Sequence, residues 1–136
     1  MLKLLLVSHA KDSLSALASA LKEDSEVDLS WAESGKTALD ILSGTAVDLV
    51  VTDENLGDMT GLEFADKLLF VNPMVNCTPV SSLSPKKFHE ASEGLGVIAQ
   101  LPVQPGKEHA EKLLKYLRQI KNLTDSVKKS VTVHGL

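Results

Sequence analysis

The chain has 136 residues, of which 43% are hydrophobic, and this fits one domain with a sizeable core. Its formal charge of -4 provides no general basic field, so direct nucleic-acid binding is not expected. The single cysteine, Cys77, cannot form an internal disulfide, and the apolar stretch after Met1 is too short for a membrane span or an export signal. We therefore expect a cytoplasmic protein that does not associate with membranes.

The apolar pattern predicts five strands that alternate with five helices. Strands are predicted at residues 2–7, 27–31, 47–53, 74–81 and 96–101. Helical spacing of apolar residues predicts a helix after each strand. Alternation of this kind implies an α/β fold, in which helices cover both faces of a doubly wound, parallel five-stranded sheet.

Local signals predict where the helices begin and end. Helix starts are predicted at Asp12 or Ser13, at Ser34, at the capping-box pair Thr60 and Glu63, and at Ser84 before Pro85. Helix ends are predicted at Gly44, Pro73 and Gly94. The last helix has an apolar stripe formed by Leu113, Leu114, Leu117 and Ile120. We therefore expect a domain at residues 1–121 and a C-terminal tail or linker at residues 122–136, either solvated or forming a short edge strand.

Asp53 stands where an apolar run stops and a turn begins, and Gly61 follows at the start of a helical pattern. Ligands of open α/β sheets bind outside the carboxyl ends of the strands, where Asp53 is expected. An isolated aspartate in this setting is often only a turn former. However, the segment from Asp53 to Leu62 closely resembles the phosphoacceptor loop of response-regulator receiver domains. The resemblance implies a single flavodoxin-like (βα)5 domain, with Asp53 as its phosphorylatable carboxylate.

The resemblance also implies a magnesium site. Receiver domains hold the ion with two adjacent acidic residues after the first strand, with the phosphoacceptor, and with a backbone carbonyl two residues beyond it. Here the acidic pair aligns with Ser8 and His9, and the carbonyl position falls on Asn55. Two other carboxylates are close enough in sequence to approach the site, Asp12 and Glu54. With Asp53 as the only expected carboxylate ligand, we expect Mg²⁺ to bind weakly.

Two further positions of the receiver pattern lie at later strand ends. The switch hydroxyl at the end of the fourth strand is best matched by Ser81, with Ser82 as the alternative. The lysine that ends the fifth strand in the family is missing, and Val103 or Gln104 stands in its place. A hydrogen bond to a charged group is worth roughly 1.5 to 3 kcal/mol, so loss of the lysine is expected to weaken phosphate retention.

The resemblance further implies an output face made by the fourth helix, the fifth strand and the fifth helix. In this chain the face is expected to carry Lys86, Lys87, Glu90, Glu111, Lys115, Tyr116 and Arg118. Mixed charges of this kind suit a register-specific polar interface.

We interpret the chain as the receiver module of a two-component phosphorelay that accepts phosphate on Asp53 and has no enzyme activity of its own. Its expected partner is a sensor histidine kinase or another signalling protein, with a homodimer as a further candidate assembly. One alternative is a pseudo-receiver that docks or dimerises without phosphorylation, which the missing acidic pair and lysine favour. A second alternative is a small flavodoxin-like protein that binds a nucleotide or flavin, although no glycine-rich phosphate loop follows the first strand.

Overall fold

The computed structural model of the chain describes the backbone of residues 1–134 and the side chains of residues 1–121. Within this part, the strands are β1 (Leu2–Val7), β2 (Val27–Ala32), β3 (Leu49–Thr52) and β4 (Asn76–Pro79). The helices are α1 (Ser15–Lys22), α2 (Gly35–Gly44), α3 (Gly61–Val71), α4 (Pro85–Ser92) and α5 (Lys107–His134). A 3-10 turn, Lys11–Leu14, precedes α1. The strands form one parallel sheet in the order β2-β1-β3-β4, which confirms the doubly wound parallel architecture.

Both faces of the sheet are covered, and the side chains of β1 alternate between two cores. The core on the side of α1 and α5 contains Leu4, Leu6, Leu17, Leu21, Leu113 and Leu117. The core on the side of α2 and α3 contains Leu5, Val7, Leu42, Phe64 and Leu68. Because successive strand residues point to opposite faces, a strand between two cores must be apolar throughout. This explains the continuous apolar runs of β1 and β3.

The predicted fifth strand runs beside β4 but does not pair with it continuously. Isolated parallel bridges join Cys77 to Val97 and Val80 to Leu101. Cys77 and Val80, the residue directly after β4, are three positions apart, whereas Val97 and Leu101 are four apart, so one extra residue bulges out of the partner segment. Pro79, the last residue of β4, lies between Cys77 and Val80 and has no N–H to donate. The prediction of a five-stranded sheet is therefore wrong: the described chain has four strands and a bridged margin at residues 97–101.

The last helix is longer than the sequence predicts. Its backbone continues beyond residue 121 to His134, and it is helical there and not an edge strand. The side chains of the expected tail or linker, residues 122–136, lie outside the described part, so the division at residue 121 stays a prediction. No helix in the described residues has both the length and the apolar character needed to cross a membrane.

Side chains of α5 join it to the segment between α1 and β2. The Arg118 guanidinium lies 2.5 Å from Asp24 Oδ2 and 3.7 Å from Glu26 Oε2. The hydrogen bond from Arg118 holds the pKa of Asp24 below its ordinary value of 3.8. Glu111 lines a pocket on this same side, next to Ala20. Arg118 and Glu111 therefore lie on the α1 side of α5 and not on the expected output face.

Candidate functional site

Asp53 directly follows β3, at the carboxyl edge of the sheet. Its backbone N–H donates a hydrogen bond to the Val7 carbonyl at 2.9 Å, which fixes the end of β3 to the end of β1. On the other side, the Val80 N–H donates to the Thr52 carbonyl at 2.8 Å and fixes the end of β4. Three strand ends therefore meet around Asp53, at the edge where ligands of parallel sheets bind.

Helix α3 begins in contact with the backbone of Asp53. A Cβ atom at Gly61 would collide with the Asp53 carbonyl oxygen, and the Gly61 N–H donates to the Glu54 carbonyl at 3.0 Å. The predicted capping box is confirmed: Thr60 Oγ1 accepts from the Glu63 N–H at 3.1 Å, and Glu63 Oε1 accepts from the Thr60 N–H at 3.2 Å. The glycine is therefore needed because no side chain fits between α3 and the residue that ends β3.

The half-buried Asp53 carboxylate is held by hydroxyl groups. Its Oδ2 accepts a hydrogen bond from Ser8 Oγ at 2.9 Å and another from Ser13 Oγ. Its Oδ1 accepts from the Glu54 N–H at 2.8 Å. Ser8, at one of the two positions where the resemblance expects an acid, is only 1% exposed. Two neutral hydroxyls thus contact the carboxylate oxygen from the loop that follows β1.

Each of these hydroxyls has a second acceptor within reach. Ser8 Oγ lies 2.7 Å from the Ala10 carbonyl, and Ser13 Oγ lies 2.8 Å from the same oxygen. The two hydroxyl oxygens are 3.3 Å apart. Because a serine hydroxyl has a single proton, each serine donates either to the carbonyl or to Asp53 at any moment. The contacts with Asp53 can therefore be exchanged without leaving a hydroxyl proton unpaired.

The role of Ser13 was missed by sequence reasoning, which treated it as a candidate cap of the first helix. In the structure Leu14 is the N-cap residue of α1, and no side chain caps that end. The prediction that Asp12 or Ser13 caps this helix is therefore wrong. A hydroxyl near the end of β1 was a signal for a contact with Asp53, but the length of the 3-10 turn could not be read from the sequence.

His9 and Asn55 shape the loop that follows Asp53. The His9 ring lies against Gly57, where a Cβ atom would be 3.2 Å from His9 Nδ1. Gly57 has a φ of 83°, a left-handed conformation that glycine adopts without strain. The Asn55 side chain accepts from the Gly57 N–H at 2.9 Å. The role of the Asn55 carbonyl as a metal ligand stays a prediction.

Asp58 joins the same loop to α2. Its carboxylate accepts hydrogen bonds from the backbone N–H groups of Gly35 and Lys36, each at 3.0 Å. These bonds, that of Lys36 first, lower the pKa of Asp58 below its ordinary value of 3.8. Ser34 caps the helix as predicted, because its Oγ accepts from the Thr37 N–H at 3.1 Å. The loop after Asp53 is thereby fixed to the start of α2.

Ser81 follows β4 and lies at the same sheet edge as Asp53. It is buried, and its Oγ accepts a hydrogen bond from the Leu83 N–H at 3.2 Å. The next residue, Ser82, donates to Glu54 Oε2 from both its N–H, at 2.7 Å, and its hydroxyl, at 2.9 Å. The Glu54 carboxylate is therefore engaged by the loop after β4, and the switch role of Ser81 stays a prediction.

The family model for the response regulator receiver domain matches residues 4–102, which is well over half of the chain. The chain belongs to the response regulator receiver family. A search of curated protein sequences gave no match.

Solved structures agree with the receiver fold. The response regulator domain of Thermotoga maritima CheB is 17% identical with a TM-score of 0.74, and the match covers 90% of this chain and 97% of that one. A two-component response regulator from Legionella pneumophila is 22% identical with a TM-score of 0.75, and the match covers 88% of this chain and 99% of that one. The chemotaxis response regulator CheY4 of Vibrio cholerae is 18% identical with a TM-score of 0.75, and the match covers 86% of this chain and 98% of that one. At these identities the likeness shows the fold alone.

The bridged margin ends at Leu101, before the two residues to which the sequence assigns the missing lysine. Leu101 is the last bridged residue before Pro102 and is buried in the core. Val103 is 54% exposed, and Gln104 has a φ of 53°, so both lie beyond the end of the bridged margin. The assignment of the missing lysine's position to Val103 or Gln104 stays a prediction.

A groove of about 370 Å³ lies between the bridged margin and α5 of this receiver. It is lined by Ile98, Ala99, Gln100, Leu101, Pro102, His109, Lys112, Leu113 and Tyr116. Tyr116 is 41% exposed, and it belongs to the output face that the sequence predicts. The groove therefore combines an apolar wall with the cationic side chain of Lys112.

Proposed function

We propose that this receiver module takes part in a two-component phosphorelay as the acceptor of a phosphoryl group on Asp53. The observation that carries the proposal is the position of Asp53, which lies at the meeting point of three strand ends with its backbone carbonyl against Gly61 at the start of α3. In this proposal the module has no enzyme activity of its own. Its location is the cytoplasm, as the sequence predicts.

In the proposed reaction, an Asp53 carboxylate oxygen attacks the phosphorus of a phosphohistidine on a sensor kinase. A P–O bond forms as the P–N bond breaks, and the histidine nitrogen leaves with the electron pair. Both reactants are anionic, so the transfer depends on positioning and on neutralisation of charge. The Glu54 N–H orients the carboxylate. Ser8 and Ser13 engage lone pairs of the attacking carboxylate by hydrogen bonding and therefore reduce its nucleophilicity.

The donor set at the site fits a weakly held magnesium ion. Among residues 1–121, no three side chains of the types His, Cys, Asp and Glu cluster as a metal site. Mg²⁺ commonly binds through one or two carboxylates, together with water and phosphate oxygens. Asp53 and the Asn55 carbonyl are the proposed ligands, and the ion would neutralise charge during transfer. A missing carboxylate removes on the order of 4 kcal/mol of attraction per unit charge at 4 Å in a dielectric near 20, much of which solvation offsets.

The partners that suit this module are proteins. A sensor histidine kinase would supply the phosphoryl group, and another signalling protein or a second copy of the chain would recognise the output face. We assign partner contact to the groove between the bridged margin and α5, because it offers an exposed Tyr116 beside a cation.

Acetyl phosphate labelling tests the proposed acceptor. The natural protein is incubated with acetyl phosphate and magnesium, and intact mass reports the adduct over time. We expect slow labelling that is lost in Asp53→Ala and faster labelling in a Ser8→Asp/His9→Asp variant. Circular dichroism and urea unfolding verify that each variant is folded.

Other outcomes identify the alternatives. An adduct that persists in Asp53→Ala would move the acceptor elsewhere. No adduct in either the natural protein or the acidic variant would leave a pseudo-receiver that works as a docking module. Flavin or nucleotide absorbance in the purified protein would favour the flavodoxin-like binder.

A further inference from the structure

The 3-10 turn Lys11–Leu14 connects the acceptor with the outer strand of the sheet. Ser13 donates from this turn to Asp53 Oδ2. Lys11, two residues earlier, places its Nζ 5.6 Å from the centre of the Trp31 ring on β2, within the range of a cation–π interaction. Leu14 is fully buried in the core on the α1 side and anchors the end of the turn. One short turn therefore touches both Asp53 and Trp31.

A group bound at Asp53 Oδ2 competes with the Ser13 hydroxyl. A cation takes up the lone pairs that accept the hydroxyl proton, and a phosphoryl group uses one of them to form an acyl phosphate bond, which is a mixed anhydride. Ser13 has a second acceptor ready, the Ala10 carbonyl at 2.8 Å. Ser8 is less free to respond, because it is buried and its Oγ also accepts from the Ala10 N–H at 3.1 Å. Ser13 is therefore the donor that a ligand displaces first.

We propose that Ser13 makes the 3-10 turn a sensor of the state of Asp53. When a cation or phosphoryl group occupies Oδ2, Ser13 turns to the Ala10 carbonyl, the turn relaxes, and Lys11 changes its position over Trp31. The phosphoryl part of this proposal rests on the proposed function, whereas the cation part needs only the carboxylate. Ser13 is a positioning residue here, and the change is directed toward the α1 and β2 side of the domain.

The proposed role of Ser13 differs from the switch role predicted for Ser81 in the loop after β4. Ser81 Oγ is engaged by the Leu83 N–H, and Ser82 is held by Glu54. Both hydroxyls thus have partners other than Asp53. Ser13, in contrast, already contacts the oxygen that a ligand would take. The first side chain to sense occupancy is therefore on the turn before α1.

Trp31 is the only tryptophan of the chain, so its emission reports the turn directly. The first test is a double-mutant cycle in the unliganded protein, with Asp53→Ala, Ser13→Ala and the double variant. We expect each single variant to shift the Trp31 emission and the double variant to add no further shift. Ser13→Thr should restore the natural emission, because threonine keeps the hydroxyl.

Two controls accompany this cycle. Ser43→Ala removes a hydroxyl that makes a similar contact away from the turn, a donation to the Asp40 carbonyl at 2.7 Å on α2, and it should leave the emission unchanged. Lys11→Gln should remove the response to both Asp53→Ala and Ser13→Ala. Additive shifts from the two single variants, or a response that survives Lys11→Gln, would overturn the proposal.

The second test adds magnesium and beryllofluoride to the natural protein and to Ser13→Ala. We expect the ligand to shift Trp31 emission in the natural protein and not in Ser13→Ala, and to bind the variant about three- to tenfold more tightly because a competing hydrogen bond is gone. Weaker binding to Ser13→Ala would reject the competition.

The two tests separate this proposal from the proposed function. The double-mutant cycle decides the coupling without any ligand. Coupling without acetyl phosphate labelling would reject the phosphoryl acceptor and retain the link between Asp53 and the turn. Labelling on Asp53 without coupling would do the opposite.

Discussion

The backbone carbonyl oxygen of Asp53 occupies the space that a Cβ atom would need at Gly61. Gly61→Ala must therefore push α3 away from the residue that ends β3. We expect this variant to lower the free energy of unfolding by about 1 to 3 kcal/mol, as overpacking of a fitted contact does. Urea unfolding measures the change.

Gly44→Ala is the matched control for this prediction. Gly44 is the last residue of α2, and a Cβ atom there has nothing within 4 Å. Alanine is the better helix former by up to about 1 kcal/mol, so this variant should be unchanged or more stable. Equal losses of stability in the two variants would show that contact with Asp53 is not the reason for Gly61.

Glu54 links the loop after β3 to the loop after β4 through Ser82. Glu54→Gln keeps the shape of the side chain but removes its charge, which weakens both hydrogen bonds. We expect the Ser82 amide hydrogen to exchange with solvent about three- to tenfold faster. Hydrogen exchange followed by NMR measures the rate. Glu90→Gln, at an exposed position of α4, should leave the Ser82 rate unchanged, and an equal effect of both variants would refute the link.

The ion pair between Asp24 and Arg118 makes stability depend on pH in a defined direction. Because the folded-state pKa of Asp24 lies below 3.8, its contribution is full above the unfolded pKa and is lost as the pH falls through the folded pKa. Asp24→Asn should therefore reduce the free energy of unfolding at pH 7, and the difference from the natural protein should shrink below about pH 4. Urea unfolding at a series of pH values measures this.

Glu26→Gln provides the comparison for that experiment. The Glu26 side chain is 70% exposed and lies farther from Arg118, at 3.7 Å, so its loss should matter less. A loss in Asp24→Asn that stays constant from pH 7 to pH 2 would assign the effect to packing and not to the charge of Asp24.

The groove between the bridged margin and α5 is the surface that we propose for partner contact, and a second copy of the chain is one candidate partner. Tyr116→Ala combined with Lys112→Glu should weaken any dimer formed with magnesium and beryllofluoride by about tenfold or more, since aromatic residues dominate such contacts. Sedimentation velocity measures the dimer. Lys67→Glu, at an exposed position of α3, should have no effect. A protein that stays monomeric throughout would exclude the homodimer, and unchanged association in the double variant would place the interface elsewhere.

The parallel sheet and the position of Asp53 could be predicted because both depend on local patterns. Apolar runs and capping residues define β1, β3 and α3, and a strand end followed by Gly61 defines the acceptor loop. The contacts of Glu54 with Ser82 and of Ser13 with Asp53 could not be predicted in the same way. They depend on how far each loop reaches across the sheet edge, which no spacing in the sequence determines.

The fifth strand was mispredicted for a different reason. The segment of residues 96–101 has a suitable apolar composition, but pairing also requires a partner with a complete set of donors. Pro79 on β4 lacks an N–H, and the bulge shifts the register by one residue. The composition of the segment therefore predicted its place beside β4, but it could not predict whether the two segments would pair continuously.

The sparse pairing of residues 97–101 has a mechanical consequence. A segment joined by isolated bridges can undergo local unfolding while the four-stranded sheet stays intact, at a smaller free-energy cost than global unfolding. The Ser81 N–H donates to the Leu101 carbonyl at 2.9 Å, so the loop after β4 is hydrogen-bonded to this segment. A protein that bound the locally unfolded segment would remove the hydrogen bond from Ser81 to Leu101. Such a binder would change the surroundings of Asp53 without touching it.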